Sequence, residues 1–166
     1  MSYFVIIRGA AGVGKSTISK LLAKKIKAEV THFEKIMKSF GMDYISGDKW
    51  IPLDKYLKAH KIKIPELKDK LRNEINLIID HNFYHKEQIE DLIKNIGFKH
   101  FIFTLKADLN ECIRRDKTRA GGLGEQAIKD VFKLASAFDY GINIDTNRKT
   151  PEETVEEILS YLPKSN

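Results

Sequence analysis

Five apolar residues in succession, Tyr3–Ile7, open the ordered pattern of this chain, with β-branched residues at their centre. A continuous apolar run of that length predicts a strand buried on both faces. Glycine-rich sequence follows, and then Ile18, Leu21, Leu22 and Ile26 recur at helical spacing, predicting a helix over 15–27. Glu29–Phe33 reads as a second strand. Glu34–Phe40 reads as a helix with Ile36, Met37 and Phe40 on its apolar side and Gly41 at its end. Residues 41–52 are turn-rich and include the only tryptophan, Trp50. Leu53–His60 and Pro65–Arg72 predict two short helices, the second with proline in its first turn.

The alternation then repeats. Asn76–Asp80 predicts a third strand, apolar until it ends on a carboxylate, and Lys86–Asn95 an amphipathic helix closed by Gly97. Lys99–Leu105 predicts a fourth strand. Asp108 and Glu111 have the spacing of a capping box that opens a helix through Arg114 and Arg115. Gly121–Gly124 interrupts the pattern, which resumes as a helix over Glu125–Phe138 and a fifth strand over Gly141–Asp145. A second capping box, Thr150 with Glu153, opens the last helix, which runs to Leu162. Strands alternating with helices predict an α/β fold, a parallel sheet of about five strands with helices on both faces. No repeat or linker divides residues 1–166, and one domain is expected.

Between the first strand and first helix lies Gly9-Ala10-Ala11-Gly12-Val13-Gly14-Lys15-Ser16-Thr17, which fits the phosphate-binding pattern G-x-x-x-x-G-K-S in the context that pattern requires. Its glycines let backbone N–H groups close around phosphate oxygens at the positive end of a helix. Lys15 supplies a mobile charge for the β- and γ-phosphates, and the Ser16 hydroxyl is placed to ligate Mg²⁺. A nucleoside triphosphate and Mg²⁺ are the cofactors this implies. The chain has no N-K-x-D guanine signal and no room for the extra elements of motor ATPases.

Three further polar positions fall at strand ends, where ligands collect in open α/β sheets. Glu34 follows the second strand and suits a general base for an attacking hydroxyl; the same place also suits a first-turn carboxylate favoured by the helix dipole. Asp80 ends the third strand, where it can hold Mg²⁺ through water, orient an acceptor, or simply start a turn. Arg115 and Arg119 stand one helical turn apart before Gly121–Gly124, the pattern of a lid near 114–124 that carries guanidinium groups to a transferring phosphoryl group; a solvated basic face has the same pattern. The five histidines are read as polar or surface residues, and Trp50, Phe83 and Tyr84 as candidate stacking surfaces or core.

Composition narrows this little. Residues are 42% hydrophobic and 31% charged, a soluble globular balance. The single cysteine, Cys112, excludes an internal disulfide and suits a reducing cytoplasm. No apolar run approaches membrane-spanning length, and the N-terminus reads as a strand rather than a leader. Net charge is +6, of which residues 34–72 carry +4. A basic patch there fits a phosphate-rich partner such as nucleic acid, or an ordinary lysine-rich surface.

Gly9–Thr17, Asp80-His81-Asn82, Arg115 with Arg119, and the closing Asp145-Thr146-Asn147 together resemble the small P-loop kinases of the nucleoside-monophosphate-kinase superfamily. The chain is most similar to polynucleotide 5′-kinase domains and related archaeal nucleotide kinases. The resemblance implies a P-loop NTPase three-layer sandwich with an arginine lid, and an ATP-dependent kinase with a hydroxyl acceptor. Glu34 then matches the general base, Asp80 the aspartate after strand three, and Arg115 and Arg119 the lid arginines, while Asp145–Arg148 flank the adenine. The sequence departs from that family where Met37 replaces an arginine that engages an acceptor phosphate. A nucleic-acid 5′-hydroxyl or nucleotide is the expected acceptor, bound by the helical region 34–72, with a small metabolite as the alternative and a slow ATP-hydrolysing switch as a third reading.

Overall fold

β1 (Tyr3–Arg8) is buried along its whole length because a strand lies on either side and helices cover both faces. The computed structural model describes residues 1–42 and 51–164; Trp50 and Gly47 lie outside them. After β1 come α1 (Lys15–Ile26), β2 (Ala28–His32), α2 (Phe33–Ser39), α3 (Leu53–Arg72), β3 (Asn76–Asp80) and α4 (Lys86–Ile96). Then follow β4 (Lys99–Lys106), α5 (Leu109–Thr118), α6 (Glu125–Ala135), β5 (Ile142–Asp145) and α7 (Pro151–Leu159). The five strands form one sheet in the order β2-β3-β1-β4-β5, and every pairing is parallel.

The strand period of two sorts the core into two layers. Tyr3, Val5 and Ile7 face a cluster with Ile18 and Leu22 of α1, Cys112 of α5, Ile128 of α6 and Val155 and Ile158 of α7. Phe4 and Ile6 face the other side, with Leu67 and Leu71 of α3 and Ile89 and Leu92 of α4. The connection after β1 therefore leaves toward one face and that after the adjacent β3 toward the other. This divergence opens a crevice at their carboxyl ends, the place where open α/β sheets bind ligands. Arg8 closes β1 as a fully buried guanidinium. It donates to Thr104 Oγ1 and to the carbonyls of Ala135 and Phe138, and lies over the Phe138 ring.

Two local expectations are corrected. The two short helices predicted over 53–72 are one, α3, with Pro65 inside it. An interior proline costs about 3 kcal/mol. Here Tyr56, Ala59, His60, Ile64, Leu67 and Leu71 stay in helical phase across it and are all buried, and Ile64, Leu67 and Leu71 alone contribute about 1.5–3 kcal/mol each. The capping box expected at Asp108 does not form: the Glu111 carboxylate turns to Arg114 and Arg115 instead. The box at Thr150 and Glu153 does form. Among the described residues no helix is long and apolar enough to cross a membrane.

Candidate active site

The loop between β1 and α1 is shaped by close packing underneath and open space above. Gly12 has φ +85°, and a Cβ there would lie 2.6 Å from the Cys112 carbonyl oxygen of α5. Gly14 has φ +101° and caps α1, yet a Cβ there would meet nothing nearer than 3.9 Å. No side chain caps α1, so its first N–H groups face outward with no side-chain acceptor. Together these leave a cradle that suits phosphate oxygens.

Lys15 Nζ donates to the carbonyls of Gly9 (3.0 Å) and Ala10 (2.8 Å). Burial pulls its pKa down to about 8, opposed by the carboxylates of Asp80 and Glu34 and assisted by Arg119. Two acids and an arginine from three separate elements thus converge on the loop lysine. Ser16 and Thr17 are exposed on the first turn of α1, beside the loop residues Ala11 and Val13, which are buried.

Asp80 stands beside this loop because β3 pairs with β1 in a register that sets it opposite Ile7, and with β2 in one that sets it opposite His32. It is 5% exposed. Its Oδ2 lies 3.2 Å from His32 Nδ1, an ion-pair distance, but outside hydrogen-bond geometry, and has no hydrogen-bond partner among the described residues. A buried, unsatisfied carboxylate oxygen at this place is a fit for a hard cation or its water. Glu34, in the first turn of α2, is exposed.

The two arginines expected in a lid are separated. α5 ends at Thr118, and Arg119 is extended (φ −99°, ψ 146°), so the pair does not share a helical face as its spacing predicts. Arg115 is held in place by donating to Glu111 Oε1 (2.7 Å), Val13 O (3.2 Å), Thr146 Oγ1 (3.1 Å) and Thr146 O (2.8 Å). It ties the phosphate loop to the segment after β5. Arg119 donates to Asp116 Oδ1 at 2.9 Å. Asp116 is 3% exposed and also accepts from the N–H groups of Leu123 (3.0 Å) and Gly124 (2.9 Å), which folds the glycine-rich segment back onto α5. Asp145 ends β5 exposed and accepts from the Asn147 N–H, forming a tight turn.

Behind Glu34 a third cluster packs Met37, Tyr56 and Ala59 with Met42, Ile51 and Tyr84. His81 joins it edge-on to Tyr56, ring centroids 5.3 Å apart. His81 and His60 are buried, contrary to the surface reading of the histidines. Burial first, and then Lys15, push the His81 pKa down to about 3, so its ring is neutral. Two residues of the site have no motif to announce them, Asp116 and Tyr56. His81 and Thr146 lie within the strand-end motifs Asp80-His81-Asn82 and Asp145-Thr146-Asn147, which carried the resemblance but assigned neither a role.

A parallel five-stranded sheet, a glycine-rich loop at a helix N-terminus and strand-end carboxylates beside its lysine define a P-loop kinase fold. Comparison with known proteins agrees. The AAA_18 family model, described as an AAA domain, matches residues 5–131. A "putative adenylate kinase" of Pyrococcus abyssi is 27% identical over 95% of this chain and 83% of its own length. An "L-seryl-tRNA(Sec) kinase" of Methanococcus maripaludis is 26% identical over 98% of this chain and 67% of its own. Among solved structures, a sugar kinase of Janibacter sp. HTCC2649 has a TM-score of 0.78 over 97% of this chain and 94% of its own, at 16% identity, which shows the shared fold. The chain belongs to the AAA_18 family, and it is an ATP-dependent phosphotransferase of the P-loop kinase class.

Proposed function

We propose that the chain transfers the γ-phosphoryl group of ATP, as its magnesium complex, to an alcohol hydroxyl of a small acceptor that enters between Glu34 and Asp80. The observation that carries this reading is Asp80, buried with one carboxylate oxygen unpaired among the described residues and set opposite Ile7, beside the loop, by the pairing of β3 with β1. Lys15, released from the Gly9 and Ala10 carbonyls, and the N–H groups of Gly9–Ser16 bind the phosphates. Ser16 directly, and Asp80 through water, are the residues that fit Mg²⁺, which when bound offsets phosphate charge. Glu34 or Asp80 orients the acceptor hydroxyl and takes its proton as the new oxygen–phosphorus bond forms. The bond from the γ-phosphorus to the bridging β–γ oxygen breaks, and that oxygen leaves with its electron pair as part of ADP. Arg119, leaving Asp116, stabilises charge on the transferring group. Arg115 positions the loop from Asp145, which flanks the adenine, against Val13.

A nucleic-acid 5′-hydroxyl or a nucleotide is the second reading, favoured by the likeness to the seryl-tRNA and adenylate kinases. The basic residues of 34–72 favour it less. Lys58, Lys63 and Lys70 pair with Asp54, Glu66 and Glu29. Lys61, Lys68 and Arg72 line a groove of about 680 Å³ between α3 and α4, with Asp91 and Asn95 of α4 opposite them.

The test is transfer of γ-labelled phosphate from ATP with Mg²⁺ to a 5′-hydroxyl oligonucleotide and, in parallel, to nucleosides, nucleotides and sugars. Label in the nucleosides or sugars is expected; label on the oligonucleotide or on a nucleotide alone selects the second reading. Lys15→Ala should keep the fold and reduce transfer at least 100-fold, the scale of about 3 kcal/mol of lost transition-state stabilisation. Substantial residual turnover in that variant would sink the assignment.

A further inference from the structure

The wall behind Glu34 is built unlike ordinary core. Tyr56 is fully buried, yet among the described residues its hydroxyl has no hydrogen-bond partner, and neither has Nε2 of the buried His81. Their rings touch edge-on, and Tyr84 packs edge-on to Tyr56 at 6.5 Å. The Tyr84 hydroxyl, by contrast, is engaged with Asn82 Nδ2 at 3.0 Å. Buried polar atoms in folded proteins are almost always paired, and phenylalanine in place of Tyr56 would avoid the cost. Two neighbouring orphans on one wall point to a partner that none of the described residues supplies.

The charge of the wall restricts that partner. Met37, Tyr56, Ala59 and Tyr84 carry no formal charge at neutral pH, and Met37 is 1% exposed. Tyr56 and Tyr84 both lie within the electrostatic reach of Glu34, which raises their hydroxyl pKa values further after burial has done so. Lys15 is shared between Asp80 and Glu34 and is assigned to the donor phosphates. An acceptor bearing its own phosphate or carboxylate would meet two carboxylates here and no free cation among the described residues of the wall. Hydroxyls are the better match: they donate to Glu34 and Asp80 and accept from Tyr56 Oη, while the aromatic edges and Met37 cover ring carbons.

We infer that this wall is the acceptor subsite and that it takes an uncharged, ring-bearing polyhydroxyl compound, of the sugar, cyclitol or nucleoside kind, with Tyr56 and His81 as specificity-determining residues. The inference rests on the kinase reading above and narrows its acceptor.

The test separates binding from transfer. Calorimetry with ADP and Mg²⁺ present measures affinity for a panel of hexoses, cyclitols and nucleosides, for their monophosphates, and for a 5′-hydroxyl oligonucleotide. An uncharged compound should bind at least ten-fold more tightly than its own monophosphate. Tyr56→Phe should weaken that binding about ten-fold without lowering the melting temperature, because the hydroxyl it removes bonds nothing within the fold. Its effect in turnover should fall on the acceptor KM, with ATP KM unchanged. Which members bind distinguishes a nucleoside from a sugar or cyclitol. Tighter binding of a monophosphate or the oligonucleotide, no binding by any uncharged member, or unchanged affinity in Tyr56→Phe overturns the inference. Labelled-phosphate transfer in the same samples tests the kinase reading separately. Transfer to a monophosphate keeps the kinase and removes this subsite; binding without transfer does the reverse.

Discussion

Gly12 and Gly14 lie two residues apart in the same loop and hold their places for different reasons. Both have positive φ, which costs a side-chain-bearing residue about 1–2 kcal/mol. At Gly12 a Cβ also meets the Cys112 carbonyl at 2.6 Å, so backbone has to move apart. Gly12→Ala should therefore destabilise the chain by about 2–5 kcal/mol, strain and overpacking together, read by urea unfolding. Gly14→Ala meets nothing nearer than 3.9 Å and should cost only about 1–2 kcal/mol while still weakening ATP binding, since its methyl group enters the phosphate cradle. Equal destabilisation by the two would show that the contact with α5 is not what fixes Gly12. Sequence made this stretch plain because a phosphate loop is built from neighbouring residues. The pairing of Tyr56 with His81 was illegible for the opposite reason: they stand 25 positions apart, and a tyrosine in an amphipathic helix looks like any other core residue.

At the scale of elements, α5 and the segment after it behave as one assembly fastened at two carboxylates. Asp116 holds Arg119, Leu123 and Gly124 together. Asp116→Asn keeps the shape but weakens charge-assisted bonds, so kcat should fall about ten-fold, a loss near 1.4 kcal/mol, with acceptor KM little changed. An unchanged kcat would remove Asp116 from lid positioning. Glu111, bonded to Arg114 and then Arg115, is held down to about 2 from an ordinary value of 4.5. A carboxylate with a depressed folded pKa stabilises the fold above pH 4.5, and that contribution fades as pH falls toward 2. The stability gap between wild type and Glu111→Gln should accordingly be widest near neutrality and close across that window in urea titrations at stepped pH; a constant gap rejects the ion pairs as its source. Helix periodicity located α5 but not this fastening, because Glu111 also satisfies a capping-box spacing and only the fold decides between its two sets of partners. Pro65 misled in the same way. A local rule ended a helix that the buried stripe from Tyr56 to Leu71 carries through.

On the scale of the whole molecule, strand order converts these local devices into a site. The alternating pattern announced a parallel sheet, but nothing local states that β3 lies beside β1, and only that pairing brings Asp80 level with Ile7 at the mouth of the loop. The crevice forms because connections from these adjacent strands leave toward opposite faces, so that in the proposed reaction donor phosphates and acceptor meet different layers of the same fold. Ligand binding should then stabilise the molecule globally. At ATP·Mg²⁺ concentrations 100 times Kd, linkage adds about 2.7 kcal/mol, which for a chain of this size raises the melting temperature by about 5–10 °C. Lys15→Ala should lose nearly all of that shift, since it removes the phosphate contact. Tyr56→Phe should retain it fully, because its ring still packs and its hydroxyl belongs to the acceptor side. If Tyr56→Phe loses the shift as well, the two halves of the crevice are one energetic unit, and the separation of donor and acceptor layers drawn from the topology is wrong.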